Sequence, residues 1–255
     1  MAGFIDLTGK TVLVTGGSRG IGEAIVRGLY AQGANVVLNY SRSRERAEKI
    51  AAELGKDRCI ALGADMTDWR QLEKLWNDAV AWKGRIDVVV NNAAAREPID
   101  LDAPTGEWDA HWIKALRINL VATAHMSRFA ALHYKKTGEG IIISITGRIA
   151  VRGDRPEFFQ DGASKGGMNS LMRGMARFCA KDGVITYLVC PGIIATDQGD
   201  EFVKIYGMQE ATKEIPLGEL GKPEDIANVV VFLASGKARY ATGATIDVVG
   251  ASFLH

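Results

Sequence analysis

A chain of 255 residues, 47% of them hydrophobic, is long enough for one large α/β domain with its own core, or for two small ones. Its 31 basic and 30 acidic residues are interspersed and leave a net charge of +1, which argues against a nucleic-acid or anionic-membrane partner. No apolar stretch approaches the roughly 18 residues of a membrane-spanning helix. The three cysteines, Cys59, Cys179 and Cys190, lie in apolar runs and read as reduced core residues. The stretch MAGFIDLTGK shows no basic region ahead of a long apolar run, so a cytoplasmic protein is expected.

In chain order, TVLVT (11–15) reads as a first strand, and TGGSRGIG (15–22) follows it. Helical spacing then begins at Ile21, Ala24, Ile25, Gly28 and Leu29. Strand, glycine turn and helix start in this order form the setting in which a glycine motif binds a dinucleotide. Gly16 and Gly20 supply backbone angles that bulkier residues resist, and Gly22 allows close packing of helix on strand. The helix N-terminus offers its N–H groups to a pyrophosphate. A plain strand–turn–helix connection would not need three glycines at this spacing.

NVVLNY (35–40) is the second strand and a charged helix over 43–54 follows. CIALG (59–63) is the third, with Asp65 and Met66 beyond its end. Leu72, Leu75, Trp76 and Ala79 at helical spacing lead to a fourth strand, IDVVV (86–90), and NNAA leaves its carboxyl end. Residues 96–108 read as a polar loop and a long helical segment runs from there to about Tyr134. GIIISI (140–145) is strand five, and 146–159 reads as an irregular loop bearing Arg148, Arg152, Asp154, Arg155 and Glu157. Met168, Leu171, Met172, Met175, Ala176 and Cys179 share a helical face, the methionines as core packing. VITYLVC (184–190) and TIDVV (245–249) are strands six and seven, with a short helical insertion over 199–213 between them. Strands rich in Val and Ile that alternate with helices predict one doubly wound α/β domain over 1–255, with seven parallel strands and helices on both faces.

The glycine spacing is G-x-x-x-G-x-G. Together with NNAA, Asn119 in RINL, ASKGG (163–167), PGIIAT (191–196), GKPEDIA (221–227) and ATGATIDVVGA (241–251), it resembles the short-chain dehydrogenases/reductases over nearly the whole chain. The resemblance implies a Rossmann-type fold, a nicotinamide nucleotide, a small-molecule substrate and a substrate lid over 199–213. It also implies a homotetramer in which the helices of Asn119 and Lys165 bundle between subunits. The nucleotide site it implies comprises Gly16, Ser18, Arg19, Gly20, Ile21, Gly22, Tyr40, Ser41, Arg42, Asp65, Met66, Asn91, Asn92, Ala93, Lys165, Pro191, Gly192, Ile194 and Thr196, with Asp65 beside the adenine. An NAD-binding relative ends its second strand with an acidic residue for the ribose hydroxyls. Here Asn39, Tyr40, Ser41 and Arg42 include no carboxylate, and Arg19 with Arg42 would grip a 2′-phosphate, so NADP(H) is expected over NAD(H).

The family works with an Asn, a Ser, and a Tyr four residues before a Lys. Asn119 and Lys165 match, but Asp161 stands at the tyrosine position and Gly147 at the serine position, with Thr146 beside it. A carboxylate accepts hydrogen bonds and donates none, and it reaches roughly 3 Å less than tyrosine. Several readings stay open. Hydride transfer to an iminium needs no acid, and Asp161 would hold that cation. Carbonyl reduction would rely on Arg148, Arg152 or a water. Asp161 could instead serve as the base of a non-redox lyase or cyclase, or the protein could bind nucleotide without catalysis. The remaining reading is that Asp161 and Lys165 are merely an i, i+4 helix pair with no role in the chemistry. Intact nucleotide and lysine motifs favour an oxidoreductase. Phe158 and Phe159 read as an aromatic wall or as loop anchors, and His111, His125 and His133 give no metal site.

Overall fold

The computed structural model describes residues 5–254. One sheet of seven strands holds β1 (Thr11–Val14), β2 (Asn35–Tyr40), β3 (Cys59–Gly63), β4 (Val88–Asn91), β5 (Gly140–Ile145), β6 (Val184–Pro191) and β7 (Thr245–Val248). Their order is β3-β2-β1-β4-β5-β6-β7 and every neighbouring pair is parallel. The helices are α1 (Gly20–Ala31), α2 (Arg44–Leu54), α3 (Trp69–Lys83), α4 (Thr105–Ala115), α5 (Ala122–Thr137), α6 (Ile149–Arg152), α7 (Phe159–Cys179), α8 (Asp197–Tyr206), α9 (Met208–Thr212) and α10 (Pro223–Ala234).

Alternation along each strand divides its apolar run between two cores. Val12, Val14, Val36, Leu38, Val88 and Val90 face α1, α2 and α10, through Ile25, Leu29, Ile50 and Val230. Leu13, Val37, Val89 and Ile142 face α3, α5 and α7, through Leu72, Met126 and Met168. The methionines of α7 are thus core, as their spacing indicated. The strand order reverses between β1 and β4, and the crevice beyond their carboxyl ends is where open α/β sheets take ligands.

Three boundaries depart from the sequence reading. The helix expected after residue 108 begins at Thr105, directly behind Pro104, so Trp108 is helical and tilts against Trp112 with ring centroids 6.0 Å apart. The irregular loop over 146–159 contains α6 and a 3₁₀ turn, Pro156–Phe158, and α7 already starts at Phe159. Gly153, at φ 84°, closes α6 after a single turn, too short for periodicity to reveal. Strand four starts at Val88 rather than Ile86, whose N–H donates to His133 Nε2 (3.3 Å) instead of to a neighbouring strand. The insertion between strands six and seven is helical, as α8 and α9.

Candidate active site

At the switch point the glycine turn is braced from both sides. Thr15 Oγ1 accepts from the N–H groups of Asn92 (3.0 Å) and Ala93 (3.1 Å), and Asn92 Nδ2 donates to the carbonyls of Thr15 and Gly16, both at 3.0 Å. From the β2 side, buried Asn39 accepts from Gly16 N–H (3.3 Å) and donates to Tyr40 O and Leu62 O. A side chain at Gly16 (φ 64°) would meet Ala93 Cα at 2.9 Å, and one at Gly22 would meet Gly16 O at 2.2 Å. The first turn of α1 carries no side-chain cap, so its N–H groups are left to a ligand. This cradle fits a pyrophosphate. Thr15 and Asn39 went unrecognised in the sequence; the signal was a polar residue closing an otherwise apolar strand.

The remaining expected nucleotide residues surround the same crevice, but not all with their side chains. The Asn91 side chain points inward, with its Nδ2 donating to Ser127 Oγ (3.3 Å) and Ser144 Oγ (3.2 Å), and so braces β4 against β5 and α5. Ser18 and Met66 are buried, and Ser41 and Asp65 are exposed. Asp65 caps its own turn through Thr67, and Tyr40 lies against Gly63. Gly192 ties β6 to Val248, Ile194 bridges Gly221, and Thr196 caps α8 with its methyl beside Gly20, so α8 starts on the glycine turn. Arg19 and Arg42 are exposed and make no ion pair among the described residues, whereas nearby Arg44 and Arg46 are held by Glu48 and Glu23.

The residues expected to form the reaction centre lie where β5, α7 and the segment after β4 converge. Asn119 sits in a π-helical turn, Leu116–Val121, between α4 and α5, a local widening frequent at functional sites. Its Oδ1 accepts from Ala95 N–H (2.8 Å). Ala95 O (3.0 Å), Ser164 Oγ (2.9 Å) and Asp161 Oδ1 (3.1 Å) lie within hydrogen-bond distance of its Nδ2. Lys165 is buried and donates to Ile145 O (2.7 Å). Burial pulls its pKa below the ordinary lysine value, against the attraction of Asp161. The two do not form the direct ion pair that their i, i+4 spacing suggested. Thr146 donates to Asn169 Oδ1 (2.7 Å), and Gly147 presents no side chain.

Asp161 has a different cation. Arg96 Nη1 binds its Oδ2 at 2.5 Å and also binds Asp154 Oδ2, while Arg96 Nη2 reaches Asp154 Oδ1 at 3.3 Å. The guanidinium lies over the Phe158 ring, 3.9 Å from its centroid, so Phe158 is the floor of this triad. Burial works against the charge of Arg96, but Asp154 and Asp161 together hold its pKa above the usual arginine value. The segment carrying Arg96 is fastened to α7 by Gln160 Nε2 on Glu97 O (2.7 Å) and to the 3₁₀ turn before it by Ile99 N–H on Glu157 O (3.0 Å). Arg96 was read only as part of a polar loop, and nothing local marked it.

Beside Gly147, Arg148 Nη1 and Arg152 Nη1 meet one oxygen of Glu214, at 3.3 and 2.8 Å. His111, His125 and His133 stand apart, and among the described residues no group of His, Cys, Asp or Glu could hold a metal ion. Cys59, Cys179 and Cys190 are free thiols, and burial pushes Cys59 up to about 11 and Cys190 to about 12. No described helix is long and apolar enough to cross a membrane.

A doubly wound sheet with a glycine turn at its switch point defines a dinucleotide-binding Rossmann protein. A family model described as enoyl-(acyl carrier protein) reductase matches residues 16–250. L-Rhamnose 1-dehydrogenase (NAD(P)(+)) of Azotobacter vinelandii is 39% identical over 260 residues, covering 98% of each chain. A 3-oxoacyl-[acyl-carrier-protein] reductase of Staphylococcus aureus is 34% identical over 249 residues, 96% of this chain and 98% of that one. A 7α-hydroxysteroid dehydrogenase, solved with NADH and 7-oxo glycochenodeoxycholic acid, superposes with a TM-score of 0.88 at 28% identity, over 96% of this chain and 94% of that one. A dehydrogenase/reductase from Sinorhizobium meliloti gives 0.88 at 31% identity, over 98% and 97%. The chain belongs to the short-chain dehydrogenases/reductases, a family of oxidoreductases.

Proposed function

We propose that this protein is an NADP(H)-dependent oxidoreductase acting between a small carbonyl compound and its alcohol, with a guanidinium where its relatives use a phenol. The observation that carries this reading is the pairing of Asp161 with Arg96. Asp154, Asp161, Arg96 and Lys165 sum to zero charge, so the centre holds no spare anion for an iminium. An oxygen that turns negative as the carbonyl is reduced is stabilised by a fixed cation. Three of the five N–H groups of Arg96 are engaged by the two aspartates, which leaves the Nε–H and one Nη2–H. The guanidinium is 27% exposed and held charged, so it binds the oxyanion while water supplies the proton.

The nucleotide, when bound, gives or takes the hydride. Arg19 and Arg42 hold its 2′-phosphate, the cradle of Gly16, Gly20 and Gly22 its pyrophosphate, and the N–H groups left on Lys165 its ribose. Asn119 positions Asp161, and through it Arg96. Relatives that share the chain's full length are named as dehydrogenases or reductases, one of them with NAD(P)(+). α8 and α9 serve as the substrate lid. Exposed Val121 and Leu132 on the Asn119 side and Phe178 on α7 suit a helical interface in a cytoplasmic homotetramer.

The test is NADPH oxidation, followed by absorbance, across aldoses, simple ketones, aldehydes and cyclic imines. Turnover is expected with carbonyl compounds and falls roughly ten- to a hundredfold in Arg96→Met, with NADPH affinity retained. Turnover of imines alone would reject the oxyanion role. Stoichiometric NADPH binding without turnover would favour a silent nucleotide-binding homologue.

A further inference from the structure

Arg148 is a mostly buried cation that hydride transfer does not use. It follows Gly147 at the carboxyl end of β5, next to the position that faces the reacting groups, and its side chain is 12% exposed. Burial and the neighbouring charge of Arg152 both act against its protonated form. The carboxylate in contact with both guanidiniums is that of Glu214, whose Oε2 makes both bonds; Asp154 acts on Arg148 only electrostatically, without a hydrogen bond. Glu214 is 54% exposed and lies two residues beyond α9, so water already competes for it. Two guanidiniums on one contacting carboxylate leave one positive charge without a direct carboxylate partner among the described residues, beyond the carboxyl end of β5. A half-exposed carboxylate shared between two cations is a weak partner for a buried one, and a second carboxylate bound there would be a strong one.

Building on the hydride-transfer reading, we propose that Arg148 and Arg152 form the seat for a carboxylate carried by the substrate, and that Glu214 fills this seat until substrate displaces it. The substrate class is then a small oxo acid and its hydroxy acid, with the acid group on Arg148 and Arg152 and the reacting oxygen toward Arg96. The chain's own Glu214 demonstrates that a carboxylate fits both guanidiniums.

Calorimetry of the NADPH complex with glycolate, inorganic phosphate and ethylene glycol tests the seat without relying on turnover. Glu214→Gln removes the competing charge and is expected to tighten glycolate roughly tenfold, and Arg148→Met or Arg152→Met in that background reverses the gain. Arg152 is 39% exposed, so its variant keeps the test intact if the one at buried Arg148 does not fold. Glycolate affinity indifferent to both Glu214→Gln and Arg152→Met would remove the seat. Phosphate bound more tightly than glycolate in Glu214→Gln would overturn the carboxylate assignment. Glycolate bound as expected in a protein that oxidises NADPH with no carbonyl compound would instead remove the hydride-transfer reading and leave the seat standing.

Discussion

Removing the cation from the Asp154–Arg96–Asp161 triad should cost more than removing one of its anions. In Asp161→Asn the amide oxygen can still accept from Asn119, but its NH₂ then faces Arg96 Nη1, donor against donor. Arg96 keeps Asp154 as a partner, so the loss is that of one charge-assisted bond, about 2–3 kcal/mol. For a chain of this size that is roughly 4–6 °C in thermal midpoint. Arg96→Met leaves two buried carboxylates facing each other with no cation, and an uncompensated buried charge costs about 3–5 kcal/mol. Adding Asp161→Asn to Arg96→Met removes one of those charges and should therefore restore stability rather than reduce it further. Urea midpoints for the two single variants and the double variant close the cycle. Additive losses, or an Arg96→Met variant milder than Asp161→Asn, would refute the triad as the source of order here.

Two further expectations concern the nucleotide. Arg42→Ala should weaken NADPH roughly ten- to a hundredfold while leaving NADH unchanged, and equal losses for both would remove the 2′-phosphate assignment. Lys165 has its pKa lowered from 10.5 by burial, so the folded chain releases this proton at lower pH than the unfolded chain does. Between the two values the unfolded chain binds more protons, and the group's contribution to stability rises with pH. If the ammonium holds the nucleotide as proposed, NADPH binding should fall over the same window, starting below pH 10.5; an alkaline limb at or above the ordinary lysine value would contradict the burial.

How much was legible depended on whether the determining contacts were local. The sheet was readable because each strand is a short run of Val and Ile whose alternation serves two cores, and because the glycine turn, helix start and strand are contiguous. Lys165 and Asn119 were found by resemblance; Asn119 meets Asp161 and Ser164, while Lys165 turns to Ile145 O. The partner of Asp161 was not legible. Helical spacing pointed to Lys165, four residues away, but that ammonium is taken by Ile145 O, while Arg96 arrives from 65 residues earlier. Charges in loops have no period, so Arg96 and Asp154 carried no signal. The π-helical turn around Asn119 was likewise silent, because LRINLV reads as ordinary helix.

Asp161 can be understood only with the groups that fill the space a longer side chain would need. On sequence grounds a carboxylate at this position reaches roughly 3 Å less than a tyrosine and is unable to donate a proton. In the folded chain the missing reach is occupied by Arg96, which stacks on Phe158 below and is anchored by Asp154 at the side. The carboxylate therefore acts on the centre indirectly: it fixes a cation and cancels part of the cost of burying it. On the proposed reading, the donor offered to substrate is a permanently charged fork rather than a titrating phenol. Such a group stabilises an oxyanion across the whole physiological pH range but transfers no proton itself. If the proposed oxyanion role holds, the centre suits reactions in which charge on oxygen, rather than delivery of the proton, limits the rate.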